Sequence, residues 1–426
     1  MRFFGWHKQM AYTSGFTEKI IKKMNPGLAS LQPYPFEKLA RLKQGLSPPA
    51  NKSAIDLSIG EPKHKTPDFI LDEIKAHLPS TAAYPKTRGQ EKLREAITRW
   101  LCKRFRLTEN SIHPDKHILP VNGTREALFA FAQCIVDHRK SRPVVISPNP
   151  FYQIYEGAAL LAGAHPVFVN CTAENNFIPD FSSVTADTWN DCQLIYICTP
   201  GNPTGAVLDH VTLAQLMDLA DKYDFIIASD ECYSEIYLDE DHPPIGLLQA
   251  AAEAGRDDYR RCIVFHSLSK RSNVPGLRSG FVAGDQELIE SFFKYRTYHG
   301  CVMPGFTQAA SIAAWQDEIH VIQNRKLYRE KFAAVLEILA PVMNVYRPEA
   351  GFYLWPEVPI SDQTFTQQLF SKQNITVLPG SFLSRTANGI NPGNNRLRIA
   401  LVASPEECVE AAVRIRDQIH TLSTGN

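Results

Sequence analysis

Between about residues 85 and 300, short apolar runs alternate with longer stretches of mixed polarity. The runs at 143–146 (PVVI), 194–197 (LIYI), 225–228 (FIIA) and 262–265 (CIVF) are rich in β-branched and aromatic side chains and carry no polar position. A strand with one wet face alternates apolar and polar residues. Unbroken apolar runs of this length therefore predict strands buried on both faces of a largely parallel sheet. The intervening segments, such as 126–139 and 213–223, have helical length and periodicity. Strand and helix in alternation predict an α/β architecture with helices on both faces of the sheet.

The C-terminal part has another pattern. Leu397, Ile399 and Leu401 alternate with Arg396, Arg398 and Ala400, which predicts a strand with one apolar face and one face carrying both arginines. A helix is expected to follow, with Ser404 as N-cap, Pro405 at the first helical position and Glu407 at the third. Cys408, Ala412, Ile415, Ile419 and Leu422 give it a single apolar stripe. These elements predict a smaller α+β domain beside the large one. The expected division is an N-terminal extension at 1–23, a segment at 24–60 joining the small domain, a large domain at 61–307 and a small domain at 308–426.

Composition narrows the classes of function. The 426 residues are 44% apolar and 21% charged, which suits a globular enzyme of this size. Lys plus Arg equals Asp plus Glu at 45 each, which argues against a nucleic-acid surface or a polybasic membrane patch. The 9 cysteines include no C-x-x-C pair, so reduced thiols, a cytoplasmic location and no metal centre are expected. No apolar run approaches the roughly 20 residues that span a bilayer. Residues 1–23 lack the apolar block and cleavage site of a secretory signal.

Candidate chemistry gathers at the ends of the apolar runs, where open α/β sheets place their ligands. Lys270 lies just past the run at 262–265. Ser267 and Arg278 bracket it and offer a hydroxyl and a guanidinium to one phosphate. Pro275, Gly276 and Gly280 imply a sharply turning loop that a mobile surface lysine does not need. Asp230 follows the run at 225–228; it suits a protonated pyridine nitrogen or, alternatively, a helix cap. Asn202 sits in the rigid turn 199–205 (TPGNPTG), with an amide able to donate to a phenolate oxygen. Asn122, Gly123, Thr124 and Arg125 lead into a helix, whose N-terminus is a ready anion site. Each signal is weak alone, and their joint appearance in this order is strong.

With these motifs the chain resembles the class I and II aminotransferases, fold-type-I enzymes that use pyridoxal 5′-phosphate, from about Met24 to the C-terminus. The resemblance implies that Lys270 carries the cofactor, that Asp230 partners the pyridine nitrogen, and that Asn202 and Tyr233 contact the phenolate oxygen. It assigns Lys270, Asp230 and Tyr233 to catalysis. Gly123, Thr124, Ser267 and Arg278 match the phosphate cup, and Arg125 is expected among the cofactor contacts. Tyr152 falls where an aromatic ring stacks on the pyridine; Gln153 stands where the family usually has Pro, which leaves Phe151 as a rival. Arg398 matches the arginine that clamps the substrate α-carboxylate, with Arg396 as its rival, and Gly60 matches a backbone contact nearby. Tyr84 matches a tyrosine that reaches the phosphate of a neighbouring subunit, which implies a homodimer with shared sites. Because the family-like sequence begins at Met24, the native chain is expected to start there.

The phrases MNPGL at 24, LQPYPFEKL at 31, SIGEPKH at 58 and SLSKRSNVPGLRSGF at 267 are similar to the succinyldiaminopimelate aminotransferase branch. That likeness implies amino transfer between N-succinyl-LL-2,6-diaminopimelate and 2-oxoglutarate, a step of lysine biosynthesis, with small amino and 2-oxo acids as the only expected partners besides a second copy. Both substrates carry a distal carboxylate, so a further cation is expected, and Lys63, Lys65 and Arg296 are the candidates. The same scaffold hosts aspartate- and aromatic-type aminotransferases and C–S β-lyases. An aminotransferase-like transcription regulator is more remote, because only residues 1–23 stand unassigned for a DNA-binding module.

Overall fold

The computed structural model describes residues 25–108 and 110–424. The expected extension and the expected start at Met24 lie outside these residues. Strand β1 (Ile55–Asp56) comes first. It is followed by β2 (Ile118–Val121), β3 (Val144–Asn149), β4 (His165–Asn170), β5 (Cys192–Cys198), β6 (Ile226–Asp230), β7 (Cys262–Ser267) and β8 (Gly280–Gly284). The last seven form one sheet in the order β2-β8-β7-β6-β5-β3-β4. Only β8 runs against its neighbours; the other strands of this sheet share one direction.

The four apolar runs are the hearts of β3, β5, β6 and β7. The unbroken pattern has a direct cause. Ile195 and Ile197 of β5 enter the core on one face of the sheet, while Leu194 and Tyr196 enter the core on the other. Helices Glu91–Phe105, His210–Tyr223 and Gly305–Gln316 cover the first face, and Thr124–Ile135, Ile154–Leu161 and Gln286–His299 cover the second. Burying each such aliphatic side chain contributes about 1.5–3 kcal/mol, and Ile195→Ala is expected to cost about 2–5 kcal/mol through the cavity it leaves. Helix Thr124–Ile135 stops short of the expected residue 139. The Asp137 N–H is drawn instead to Gln193 Oε1 on β5, at 2.7 Å, which pulls the chain off the helix axis.

The smaller unit holds β9 (Tyr353–Leu354), β10 (Ile375–Thr376), β11 (Leu378–Pro379) and β12 (Leu397–Ala400). Antiparallel β11-β12-β9 form one sheet, and β1 pairs in parallel with β10. Ile55, Leu57, Leu354, Ile375, Leu397 and Ile399 share a core with Cys408, Ala412, Ile415 and Ile419 of the helix Pro405–Thr424. That helix begins as its sequence requires. The Glu407 N–H donates to Ser404 Oγ at 3.1 Å, and the Ser404 N–H donates to Glu407 Oε2 at 3.0 Å. Helix Gly305–Gln316, which straddles residue 307, places Ala310, Ala314 and Trp315 in the large-sheet core. The next helix, Ile319–Leu339, places Phe332, Val335 and Leu339 in the small-domain core. Among the described residues, no helix is long and apolar enough to cross a membrane.

Candidate active site

A cleft of about 470 Å³ opens at the carboxyl ends of the parallel strands and is closed from the other side by β11, β12 and the segment around Tyr34. Asp230 is the last residue of β6 and Ser267 the last of β7, while Asn202 sits on the turn after β5. Lys270 lies on the short helix Leu268–Arg271, whose N-cap is Ser267. All four line the cleft, together with Thr124, Arg125, Tyr152, Tyr233, Gly60, Arg278 and Arg398.

Burial pulls the Lys270 amine down to about 8, because its charged form loses water; the Cys232 thiol opposes this, and the Arg398 charge adds to it. Lys270 Nζ donates to the Gly60 carbonyl at 2.6 Å. Asp230 is buried on the floor of the cleft, and burial raises its carboxyl above the usual range. Tyr155 Oη donates to Asp230 Oδ2 at 2.7 Å, and the Cys232 N–H donates to Oδ1 at 3.3 Å. Tyr155 is itself held by stacking on Tyr196, with centroids 4.7 Å apart.

The helix Thr124–Ile135 points its N-terminus at the cleft, and Gly123 is its N-cap with φ of 86°. A Cβ on Gly123 would collide with the Arg278 guanidinium, so the glycine is required both by its backbone angle and by that close approach. Glu126, on the same helix, accepts from Arg278 at 2.7 and 2.9 Å. Arg125 donates from Nε to the Tyr152 hydroxyl at 2.7 Å. Tyr152 faces the cleft, whereas Phe151 is buried and stacked on Phe168 at 4.7 Å.

The two rival arginines separate as clearly. Arg398 donates to the Ser58 carbonyl at 2.7 Å and to Asn202 Oδ1 at 3.2 Å, and its buried Nε has no partner. Arg396 stays outside the cleft lining. It donates to the Trp355 carbonyl at 3.1 Å and lies over the Phe177 ring at 5.0 Å.

None of the three proposed distal cations lines the cleft, and this corrects the expectation for each. Arg296 is buried and spends a donor on the Cys301 carbonyl at 2.5 Å. Lys65 is exposed and paired with Asp68 at 2.7 Å. Lys63 lines an adjoining cavity that meets the cleft at Pro275, Gly276 and Arg278. Tyr84 is fully exposed and away from its own chain's cleft.

Sequence reasoning missed Tyr34, Tyr155, Glu126 and Tyr353. Tyr155 falls one helical turn after Tyr152, which is a usable signal; Tyr353 offers none, since GFYLW reads as an apolar strand.

The donor set fits a phosphorylated pyridine aldehyde. An anion cup is formed by Gly123, Thr124, Ser267, Ser269 and Arg278; a buried carboxylate lies beneath, and an amine of lowered basicity stands beside both. Arg398, in the cleft lining, brings a guanidinium to meet a carboxylate.

Comparison with known proteins agrees. The profile of the family described as Aminotransferase class I and II matches residues 52–415. An LL-diaminopimelate aminotransferase from Aquifex aeolicus (strain VF5) is 33% identical over 397 residues, which cover 92% of this chain and 97% of that protein. One of the same name from Desulforudis audaxviator (strain MP104C) is 31% identical over 401 residues, covering 91% and 96%. An aminotransferase from Neisseria meningitidis Z2491, known from its crystal structure, superposes with a TM-score of 0.89 at 51% identity, covering 92% of this chain and 99% of that one. A probable N-succinyldiaminopimelate aminotransferase from Thermus thermophilus shares the fold, with a TM-score of 0.78 at 24% identity and coverage of 90% and 100%. The match over nearly the whole chain, with a lysine, a buried aspartate and an anion cup at the strand ends, makes this protein a member of the pyridoxal-phosphate-dependent class I and II aminotransferases.

Proposed function

We propose that this aminotransferase takes its amino group from a diaminopimelate-type donor, N-succinyl-LL-2,6-diaminopimelate, and passes it to 2-oxoglutarate. The observation that carries the reading is a cleft with two arginines left over from cofactor binding, Arg398 and Arg125. The sequence phrases similar to the succinyldiaminopimelate branch point to the same donor. The curated relatives are named LL-diaminopimelate aminotransferases, which favours the unsuccinylated donor as a second reading.

Lys270, Asp230, Asn202, Tyr233, Tyr152, Arg278 and the Gly123–Thr124 turn are the residues that would hold pyridoxal phosphate. When bound, the cofactor supplies a ring that withdraws the electrons left as the substrate's α-proton departs. Lys270 Nζ takes that proton and later returns it, a role suited to an amine whose basicity lies near the working pH. Its bond to the Gly60 carbonyl fixes the direction from which it approaches. Asp230 would pair with the protonated pyridine nitrogen of the bound cofactor, and the bonds from Tyr155 and from the Cys232 N–H fix its orientation. Arg398 grips the α-carboxylate, with Asn202 steadying one end of its fork. Arg125, flanked by Tyr34 and Tyr152, receives the distal carboxylate. Tyr84, exposed on its own chain, completes the phosphate site of a second copy in a homodimer.

The test is a steady-state comparison of the two donors with 2-oxoglutarate. The proposed reading expects kcat/KM for the N-succinyl donor to exceed that for LL-diaminopimelate by about tenfold or more, the worth of one well-placed charged contact. The reverse order supports the second reading. Absence of glutamate formation with either donor contradicts both.

A further inference from the structure

We propose that Tyr353 is a positioning residue that couples the small domain to the chemistry of Tyr233 and Lys270. The proposal rests on the cofactor reading above and assigns a role to a side chain that reading leaves unused. Tyr353 lies on β9, which pairs with β12 so that Tyr353 stands opposite Ala400, two residues beyond Arg398. Its side chain is buried, yet it leaves the small-domain core and reaches the cleft.

Three contacts converge on it. The Tyr353 hydroxyl lies 2.9 Å from the Tyr233 hydroxyl. The Arg398 guanidinium stands over the Tyr353 ring, 4.7 Å from its centroid, in cation–π contact. The third contact is with Gly60. A Cβ there would overlap the Tyr353 hydroxyl oxygen and come within 2.8 Å of Cζ. Gly60 shows no left-handed backbone angle, so this glycine is demanded by space rather than by conformation. Gly60 in turn leads to Lys270, because the Gly60 carbonyl accepts from Lys270 Nζ. The segment 58–60 is thus fastened at both ends, by Arg398 on the Ser58 carbonyl and by Lys270 on the Gly60 carbonyl, with the Tyr353 hydroxyl filling the space beside it.

The direction of the tyrosine pair follows from chemistry. If Tyr233 donates its proton to the phenolate oxygen of the bound cofactor, its own oxygen is free to accept, and Tyr353 is the donor. A hydroxyl that accepts a hydrogen bond is a stronger donor in turn. Tyr353 therefore strengthens the hold of Tyr233 on the phenolate. The other charged or titratable groups acting on this pair are Arg398 from β12, Cys198 at the end of β5 and Tyr34 from the N-terminal segment. Because Arg398 lies against the same ring, binding of the α-carboxylate is transmitted to Tyr233 without a direct contact between them.

The experiment is a pH titration of the visible absorbance of holoenzyme, with and without Tyr353→Phe, alongside steady-state kinetics. Losing the donated bond leaves more charge on the phenolate, which holds the neighbouring proton more tightly. The midpoint should rise by roughly half a pH unit, the worth of one ordinary hydrogen bond. The kcat should fall by about 3- to 10-fold with KM little changed. A residue with only a structural role would lower thermal stability without moving the midpoint. A second pair of variants checks the packing argument: Gly60→Ala should damage wild-type enzyme more, as a fold-change in kcat, than it damages Tyr353→Phe, where the overlapping oxygen is gone. An unmoved midpoint in Tyr353→Phe holoenzyme that retains its band, or equal losses from Gly60→Ala in both backgrounds, overturns the proposal and leaves the cofactor reading intact. Wild-type protein that shows no band with added cofactor overturns both.

Discussion

Lys270, Asp230, Ser267 and Asn202 each stand within four residues of the carboxyl end of β5, β6 or β7, and each can be found by walking off an apolar run. The opposite wall is assembled differently. Arg398, Tyr353 and Gly60 come from three distant segments, and the bond from Arg398 to Ser58 closes a separation of 340 residues. The first wall gets its geometry from the sheet, which fixes where every strand ends. The second gets it from two small sheets, β1-β10 and β11-β12-β9, which are built of strands of two to four residues and share a core. On the proposed reading, cofactor chemistry rests on a rigid frame, while recognition of the substrate rests on contacts that a few substitutions can rearrange.

The largest expected effect breaks the frame side. Asp230→Ala removes the buried carboxylate that would partner the pyridine nitrogen and should lower kcat by about a hundred- to a thousandfold, or about 3–4 kcal/mol. The fold should survive, because the Asp230 carboxylate bonds locally, to Tyr155 and to Cys232 beside it in the chain. Unchanged turnover at saturating cofactor would return Asp230 to the role of a helix cap.

On the packed side, Arg398→Ala should lower kcat/KM for amino and oxo acid alike by roughly a hundredfold, since it removes a charge-assisted grip on a carboxylate. Arg396→Ala should leave kcat/KM within about twofold and cost roughly 1 kcal/mol of stability, through the lost Trp355 bond and Phe177 contact. Equal kinetic losses for the two arginines would erase the distinction that the hydrogen bonds draw.

The smallest effect is on stability. The Lys270 amine has a value of about 8 in the fold and 10.5 in the unfolded chain. Below pH 8 both states hold the proton, and the folded state bears the full cost of a poorly solvated charge. That cost fades as pH rises from 8 towards 10.5, where neither state holds it. Lys270→Met should therefore stabilise cofactor-free protein by about 1–3 kcal/mol near pH 7, less than the full shift because the Gly60 bond is lost too. Melting curves should show this gain shrinking as pH climbs to about 10. A gain independent of pH would mean that packing, not charge, is responsible.

The same division explains what could be read from the sequence. Lys270, Asp230, Asn202 and the Gly123–Thr124 turn were legible because strand pattern and turn residues together say where a strand stops and a ligand begins. Tyr155 was only half legible: its place one helical turn after Tyr152 is a signal, but nothing in the pattern shows its hydroxyl turning to Asp230. Arg296 failed in the opposite way. A sequence shows a cation but not that it is buried against the Cys301 carbonyl. Resemblance favoured Arg398 over Arg396, but alternation alone puts both on one face, and it is their different hydrogen-bond partners that separate them. Tyr353 had no local signal at all, and its role exists only where small domain and large domain meet.

The central claim is that Lys270 carries the cofactor, and one measurement reaches it directly. Holoenzyme is treated with borohydride, which fixes a cofactor held by a lysine amine, and the digested protein is mapped by mass spectrometry. The account predicts a single modified site, on the peptide that contains Lys270, and no modification in Lys270→Ala. A label on any other lysine, or none on protein that shows the visible band, would contradict it.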